Sequence, residues 1–241
     1  MSTHIRFYPI VLQDLNKPWE QMLHTGYNVS FPAGSVITGV GRSREDNRIF
    51  FIRQGRVCLS HIAANGEERI LMYLGRNCMF EETPTQHDGM DCIFTCVKEL
   101  RAVSWPAKIL NANFAALHPE LVLNLLCSLS RKTRIFSGRL CELHAFDALG
   151  LVCRALYSMY LHRDEGKSPV PNLTQLELAA YLGIHRSSLH LVMSKLREDG
   201  IIGAYSKSRV EILDPDRLLA CALSGRGKEK KRGDDYERQA G

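Results

Sequence analysis

The 241-residue chain predicts an α+β protein: an N-terminal β-roll of jelly-roll type, one long helix, then a C-terminal winged helix-turn-helix. Three patterns carry that prediction. Across residues 27–105 short apolar runs alternate with turn residues, the texture of many short strands. Over residues 119–145 the apolar period turns helical. Over residues 173–213 two short amphipathic segments flank a glycine turn, and two β-prone ends then enclose a basic tip.

The bulk composition agrees. A content of 45% hydrophobic and 24% charged residues is that of a soluble globular protein, and the length suffices for two cores. The net charge of +5 permits a polyanionic partner without requiring one. No stretch reaches the ~20 apolar residues that span a bilayer, and Met1-Ser2-Thr3-His4-Ile5-Arg6 does not open a signal peptide. The expected location is the cytoplasm, with no membrane partner. The cysteines (58, 78, 92, 96, 127, 141, 153 and 221) include no C-x-x-C pair, so most are expected to be small buried side chains rather than metal ligands.

Residues 1–18 lack a period and read as an arm, and 19–24 as a short helix. Strands are expected at 29–31, 36–37, 49–52, 57–59, 70–74, 93–97 and 102–105. Pro32-Ala33-Gly34, Gln54-Gly55-Arg56 and Ala64-Asn65-Gly66 punctuate them. Such a roll can hold a small ligand, and a purely structural barrel has the same texture.

The helix from Pro119 carries Val122, Leu125, Leu129, Phe136, Leu140 and Leu143 at coiled-coil spacing, interrupted at Lys132-Thr133. About 27 residues make ~40 Å, more than one small domain needs. A helix packed only on its own barrel is the alternative. A homodimer seam over 119–145 is favoured, because one stripe must face the barrel and another remains. Phe146-Asp147 then reads as a hinge, with Asp147 capping a helix over 148–162.

Thr174 and Glu177 form a capping box ahead of Leu178 and Leu182, and Gly183 suits a tight turn. A second helix from Arg186 buries Leu189, Val192, Met193 and Leu196. Its other face carries Arg186, Ser187, His190, Ser194 and Lys195. A helical hairpin with a solvated face would look the same up to this point. The hairpin that follows, with Lys207 and Arg209 in its tip, makes DNA binding the favoured reading. The expected divisions are a β-roll over 1–118, the long helix and hinge over 119–146, the DNA-binding domain over 147–223, and a disordered tail over 224–241.

This order resembles the cyclic-AMP receptor protein/fumarate-nitrate regulator (CRP/FNR) superfamily over roughly residues 25–220. The most specific stretch is LTQLELAAYLGIHRSSLHLVMSKLREDGII. The pieces FPAGSVI and FFIRQGRVCL and the 75–82 run resemble the family's sensor strands. The resemblance implies a cyclic-nucleotide-binding-like roll, a homodimer on a palindromic operator in double-stranded DNA, RNA polymerase as a partner, a small-molecule effector, and no enzymatic activity. It assigns base reading to Arg186, Ser187 and His190. Phosphate or supporting contacts fall to Thr174, Ser188, Lys195, Lys207 and Arg209.

Two departures from the family concern the effector. Cyclic-nucleotide binders carry a Gly-Glu pair and a later Arg-Ser/Thr pair; here the first is Glu81-Glu82 and the second region, HDGMDCIFTC, has no arginine. A carboxylate in place of glycine repels a phosphate, which disfavours cyclic AMP. The first 50 residues contain no cysteine, which disfavours an iron–sulfur cluster. Glu81, Glu82 and Thr95 are the candidate effector contacts. Haem stays open as a cofactor, with His24, His61, His87, Met72, Met79 and Cys78 the available ligand types. A β-barrel enzyme with a helical oligomerisation region is the distant alternative.

Overall fold

A computed structural model of the chain describes residues 7–38, 48–64, 66–82, 92–165 and 167–224. The expected tail beyond residue 224 and the run 83–91, which includes His87, lie outside the described residues. The chain divides into two compact units. One is Pro9–Gly138; the other joins the segment through Tyr8 to Arg139–Gly241.

Among the described residues of the first unit seven strands form one sheet: β1 (Val11–Leu12), β2 (Tyr27–Phe31), β3 (Val36–Thr38), β4 (Arg48–Ile62), β5 (Glu68–Leu74), β6 (Met79–Phe80) and β7 (Cys92–Pro106). The order is β1-β5-β4-β7-β2, with β3 on β7 and β6 on β4. Among the described residues only β1 against β5 is parallel. The two runs expected on either side of Gln54-Gly55-Arg56 are one continuous strand, β4, and those at 93–97 and 102–105 are likewise one strand, β7. The reason lies at Gly55. It sits at φ +101°, and a β-carbon there would stand 2.2 Å from the Glu99 carbonyl oxygen. The glycine lets β4 bend across β7 through a series of bulges instead of turning back.

Strand alternation sorts the apolar side chains of β4 into two layers. Ile49 and Phe51 join Trp19, Met79, Val103, Trp105, Phe114, Leu121 and Leu125 in one buried cluster. Phe50, on the opposite face, stacks on Phe80 at 4.8 Å, and Phe80 meets Phe94 at 5.0 Å. The buried tryptophans are both satisfied: Trp19 Nε1 donates to the Leu121 carbonyl and Trp105 Nε1 to Thr25 Oγ1. Trp19 comes from a 3-10 helix, Lys17–Thr25, in place of the short helix expected at 19–24.

After α1 (Ala112–Leu117), the long helix α2 (Pro119–Ala145) carries two stripes. Leu121, Leu125, Ser128, Lys132 and Ile135 are buried. Val122, Leu126, Leu129, Thr133, Phe136, Leu140 and Leu143 repeat at strict 4-3 spacing, and Leu126 and Leu140 are 59% and 51% exposed. The expected seam therefore needs one correction. Leu125 belongs to the core, at 6% exposure, and Leu126 takes the heptad position. The interruption at Lys132-Thr133 resolves the same way, Lys132 being buried and Thr133 exposed.

The second unit contains the last turns of α2 and α3 (Ala148–Leu161), α4 (Gln175–Leu182), α5 (Arg186–Glu198), β8 (Ile202–Tyr205), β9 (Val210–Ile212) and α6 (Pro215–Leu223). Asp147 caps α3 by accepting from the Gly150 N–H at 2.9 Å, as its position predicts. Inside this unit the Arg154 guanidinium lies between the rings of Phe7 and Phe146, at 4.8 and 4.5 Å, and bonds Glu142 Oε1 and the Ala222 carbonyl. Phe7 also meets Tyr157 at 4.9 Å, and Ser158 Oγ donates to the Tyr8 carbonyl. The residues just before the sheet unit are thus bound into the helical one.

Of the described cysteines, Cys58, Cys78, Cys96 and Cys153 are buried, while Cys127 and Cys141 are exposed on α2. Burial pushes the Cys78 thiol up to about 11, and burial, with the Cys221 thiol beside it, pushes Cys153 up as well. Both stay protonated and unreactive at neutral pH. No helix among the described residues is long and apolar enough to cross a membrane.

Candidate nucleic-acid interface

The helix-turn-helix is built by local rules. Thr174 Oγ1 accepts from the Glu177 N–H at 3.1 Å, and Glu177 Oε2 accepts from the Thr174 N–H at 2.6 Å. That capping box starts α4. Gly183 ends it at φ 65°, the left-handed turn that glycine adopts without strain. Leu178 and Leu182 from α4 and Leu189, Met193 and Leu196 from α5 are buried, which fixes the face α5 turns outward. At about 100° per residue, Ser187, Leu191 and Ser194 lie opposite the buried residues. His190 occupies one flank of that face and Ser188 and Lys195 the other, while Arg186, the first residue of α5, lies nearer the buried side.

Arg186, Ser187 and His190 are all exposed, and Ser188 is half-buried. Lys195 lines a cleft with Leu149, Asp199, Ile201 and Arg217, on the side of α5 that faces α3 and α6. Thr174 uses its oxygen as a cap acceptor, which leaves its O–H proton as a donor. The wing β8–β9 presents Lys207 and Arg209, each already beside a carboxylate. Lys207 Nζ is 3.7 Å from Glu177 Oε2, and Arg209 is 2.9 Å from Glu211 Oε1. Both pairs are exposed enough to be worth little, so a phosphate can take either cation. Tyr205 ties the wing to the start of α4, its hydroxyl donating to the Leu173 carbonyl at 3.0 Å. Burial, then the Glu177 carboxylate, holds that phenol protonated.

Two further residues belong to this surface. Leu191 stands 69% exposed at the centre of the outward face, out of phase with the buried 3–4 pattern. An apolar side chain there suits contact with a thymine methyl. His185 caps α5, its Nδ1 accepting from the Ser187 N–H. The cap position is legible in the sequence; that the imidazole itself makes the cap hydrogen bond is not, since Ser, Thr, Asp and Asn are the usual capping groups.

The expected effector residues are arranged differently. Glu82 is buried and paired with Lys132, whose Nζ also donates to the Met79 carbonyl at 2.7 Å. Above it, Asn16 Oδ1 accepts from the Met79 N–H at 2.9 Å and from Ser128 Oγ at 3.2 Å. Asn16 Nδ2 in turn donates to Asn124 Oδ1 at 3.1 Å. Asn124, Ser128 and Lys132, spaced i, i+4, i+8, thus hold the segment before residue 83 to three successive turns of α2. Glu81 sits at φ 57°, a conformation natural to glycine and costly for other residues. Thr95 is half-buried on β7 opposite Cys58, and no hydrogen bond or ion pair joins it to Glu82 among the described residues. A cleft on the sheet is lined by Asn28, Ser30, Arg53, Gln54 and Arg101, and by none of the three effector candidates. Among the described residues no group of His, Cys, Asp and Glu is placed to hold a metal ion.

A folded-over sheet joined by one long helix to a winged helix-turn-helix defines a DNA-binding transcription regulator. Residues 28–115 match the cyclic nucleotide-binding domain and residues 152–221 the Crp-like helix-turn-helix domain. The CRP-like cAMP-activated global transcriptional regulator of Mycobacterium tuberculosis is 29% identical over 195 residues, covering 79% of this chain and 85% of that protein. A CRP/FNR family regulator from Thermus thermophilus has a solved structure with TM-score 0.63 and 24% identity, covering 81% of this chain and 98% of that one. A mutant of CooA from Carboxydothermus hydrogenoformans reaches TM-score 0.73 at 14% identity, covering 88% and 100%. The chain belongs to the CRP/FNR family of transcription regulators.

The Glu82–Lys132 pair gives a stability prediction. Lys132→Met leaves a carboxylate buried alone and should cost about 3–5 kcal/mol in urea unfolding. The double variant with Glu82→Leu should recover most of that loss, and a double variant no better than the single one would refute the pairing.

Proposed function

We propose that the chain is a homodimeric regulator that binds a palindromic operator and is controlled by a small effector other than cyclic AMP. The observation that carries the reading is the exposed N-terminus of α5, with Arg186 and Ser187 in its first turn and a basic wing in the same domain. Helices of this length enter the major groove by their first turns, and two copies related by a two-fold axis read half-sites about one helical turn (~34 Å) apart. In this reading the roll over 1–118 senses, 119–146 pairs the subunits, and 147–223 holds the DNA, with RNA polymerase as the partner in transcription. The protein acts in the cytoplasm and catalyses no reaction. Thr174, Ser188, Lys207 and Arg209 serve phosphates, while Lys195 reaches the backbone only from the flank.

The dimer rests on the second stripe of α2. Its heptad of Val122, Leu126, Leu129, Phe136, Leu140 and Leu143 is the pattern of a two-stranded seam, and much of it is exposed in one chain. Leu140→Glu should convert a dimer to a monomer in sedimentation velocity and remove operator binding with it. A variant that stays dimeric would place the seam elsewhere.

The effector reading rests on Glu81 and Glu82. In the tuberculosis regulator the effector is cAMP by its name. Here the Glu82 carboxylate is engaged by Lys132, and Glu81 adds a second carboxylate next to it. A ligand that binds only the folded state raises Tm with its concentration. Cyclic AMP should leave Tm unchanged, and a concentration-dependent rise would overturn this part of the proposal.

DNA reading is tested by two substitutions in a salt-controlled binding assay. Arg186→Ala should cost about 1–3 kcal/mol and relax specificity at one base pair, whereas Lys207→Ala should weaken all sequences alike and flatten the salt dependence. Unchanged operator binding by Arg186→Ala would mean that α5 does not face the bases.

A further inference from the structure

The residue that caps the recognition helix also fixes the hydrogen-bonding role of its neighbour. His185 Nδ1 accepts from the Ser187 backbone N–H at 3.3 Å and lies 2.7 Å from Ser187 Oγ. A backbone N–H can only donate, so Nδ1 is the bare ring nitrogen. The hydroxyl facing that nitrogen must then be a donor too. Ser187 is the second residue of α5, where no helical carbonyl lies four residues back to compete for its proton. Its one proton is committed to His185, and what Ser187 Oγ turns outward is lone pairs.

We propose that Ser187, locked in this way, reads DNA as an acceptor only. Its target is an exocyclic amino group in the major groove, adenine N6 or cytosine N4. Guanine O6 and N7 and thymine O4 would meet it lone pair to lone pair. A serine with a free rotor donates or accepts and so discriminates little. His185 is therefore a positioning residue: it converts an ambiguous side chain into a specific one. The inference rests on the DNA-binding reading above and adds the polarity of one contact to it.

The test is selection of binding sites from a random duplex pool by the full-length protein and by Ser187→Ala, His185→Ala and His185→Asn. The Ser187→Ala variant locates the base pair, as the position whose preference it loses. There the wild type should favour one base pair by about fivefold, roughly the worth of one hydrogen bond. Putting purine for its adenine, or 2-pyrimidinone for its cytosine, should erase that preference, because these bases lack the amino group. His185→Ala should reduce that preference to less than about twofold while preferences elsewhere persist. His185→Asn should keep it, because the asparagine oxygen is also an N-cap acceptor. A purely structural cap would weaken every sequence alike and leave the preference intact under His185→Ala, which overturns the proposal. A preference at that pair that survives loss of the amino group, or no position sensitive to Ser187→Ala, overturns it equally. In each of those cases an operator is still enriched and DNA binding stands. A wild type that enriches no duplex ends the DNA-binding reading and takes this inference with it.

Discussion

The long helix has to satisfy two surfaces at once, and most of the molecule is arranged around that constraint. One stripe, from Leu121 to Ile135, is buried in its own sheet unit, and a second stripe repeats at heptad spacing on another face. The inner stripe is not simply greasy. Asn124, Ser128 and Lys132 turn polar groups inward, and Asn16, Met79 and Glu82 answer each of them. A buried polar ladder contributes less net stability than an apolar stripe would, but it accepts only one register. A slide of one residue along α2 would leave a carboxylate, an ammonium and an amide all mismatched. The helix therefore reports on the placement of the segment before residue 83 more strictly than oily packing could.

That strictness bears on how such a regulator can switch. Interfaces built on specific polar contacts move between discrete arrangements rather than deforming smoothly. The ladder lies on the segment that leads into the expected effector region, and the same helix carries the candidate subunit seam. At the other end of α2, Arg139 lies over the Tyr181 ring at 3.6 Å and bonds its carbonyl, tying the last turns of the helix to α4. One helix thus makes specific contacts within each of the two units.

Much of this was legible in the amino-acid order, because local rules wrote it. The capping box at Thr174, the glycine turn at 183, the Asp147 cap and the wing follow from short-range chemistry that a reader of sequence can apply. The β-domain was less legible at Gly55, where a glycine that looks like a turn serves a bend across a neighbouring strand. Only the tertiary contact with Glu99 distinguishes the two. The assignment of Leu125 to the seam failed for a similar reason. Two apolar stripes on one helix overlap in sequence, and only the partner surface tells which leucine belongs to which. Glu81 could be identified as a departure from the family, but the partner of Glu82 beside it lies 50 residues away on α2. The cap position at 185 was legible, but not that its ring would make the cap bond, since imidazole is not among the usual capping groups.

The contacts of Phe7 and Tyr8 have a practical consequence for anyone who wishes to isolate the DNA-binding half. A fragment cut at the natural-looking boundary after α2 would lose the ring that covers one side of the Arg154 guanidinium and the carbonyl that accepts from Ser158. Its surface would gain an uncovered Tyr157 and a half-exposed cation where the intact chain has a stacked pair. The helical unit is assembled from both sides of the sheet unit in the chain, so it is discontinuous in sequence although compact in space. A workable excision would splice the short N-terminal segment to the start of the head through a designed linker, rather than simply delete what precedes it.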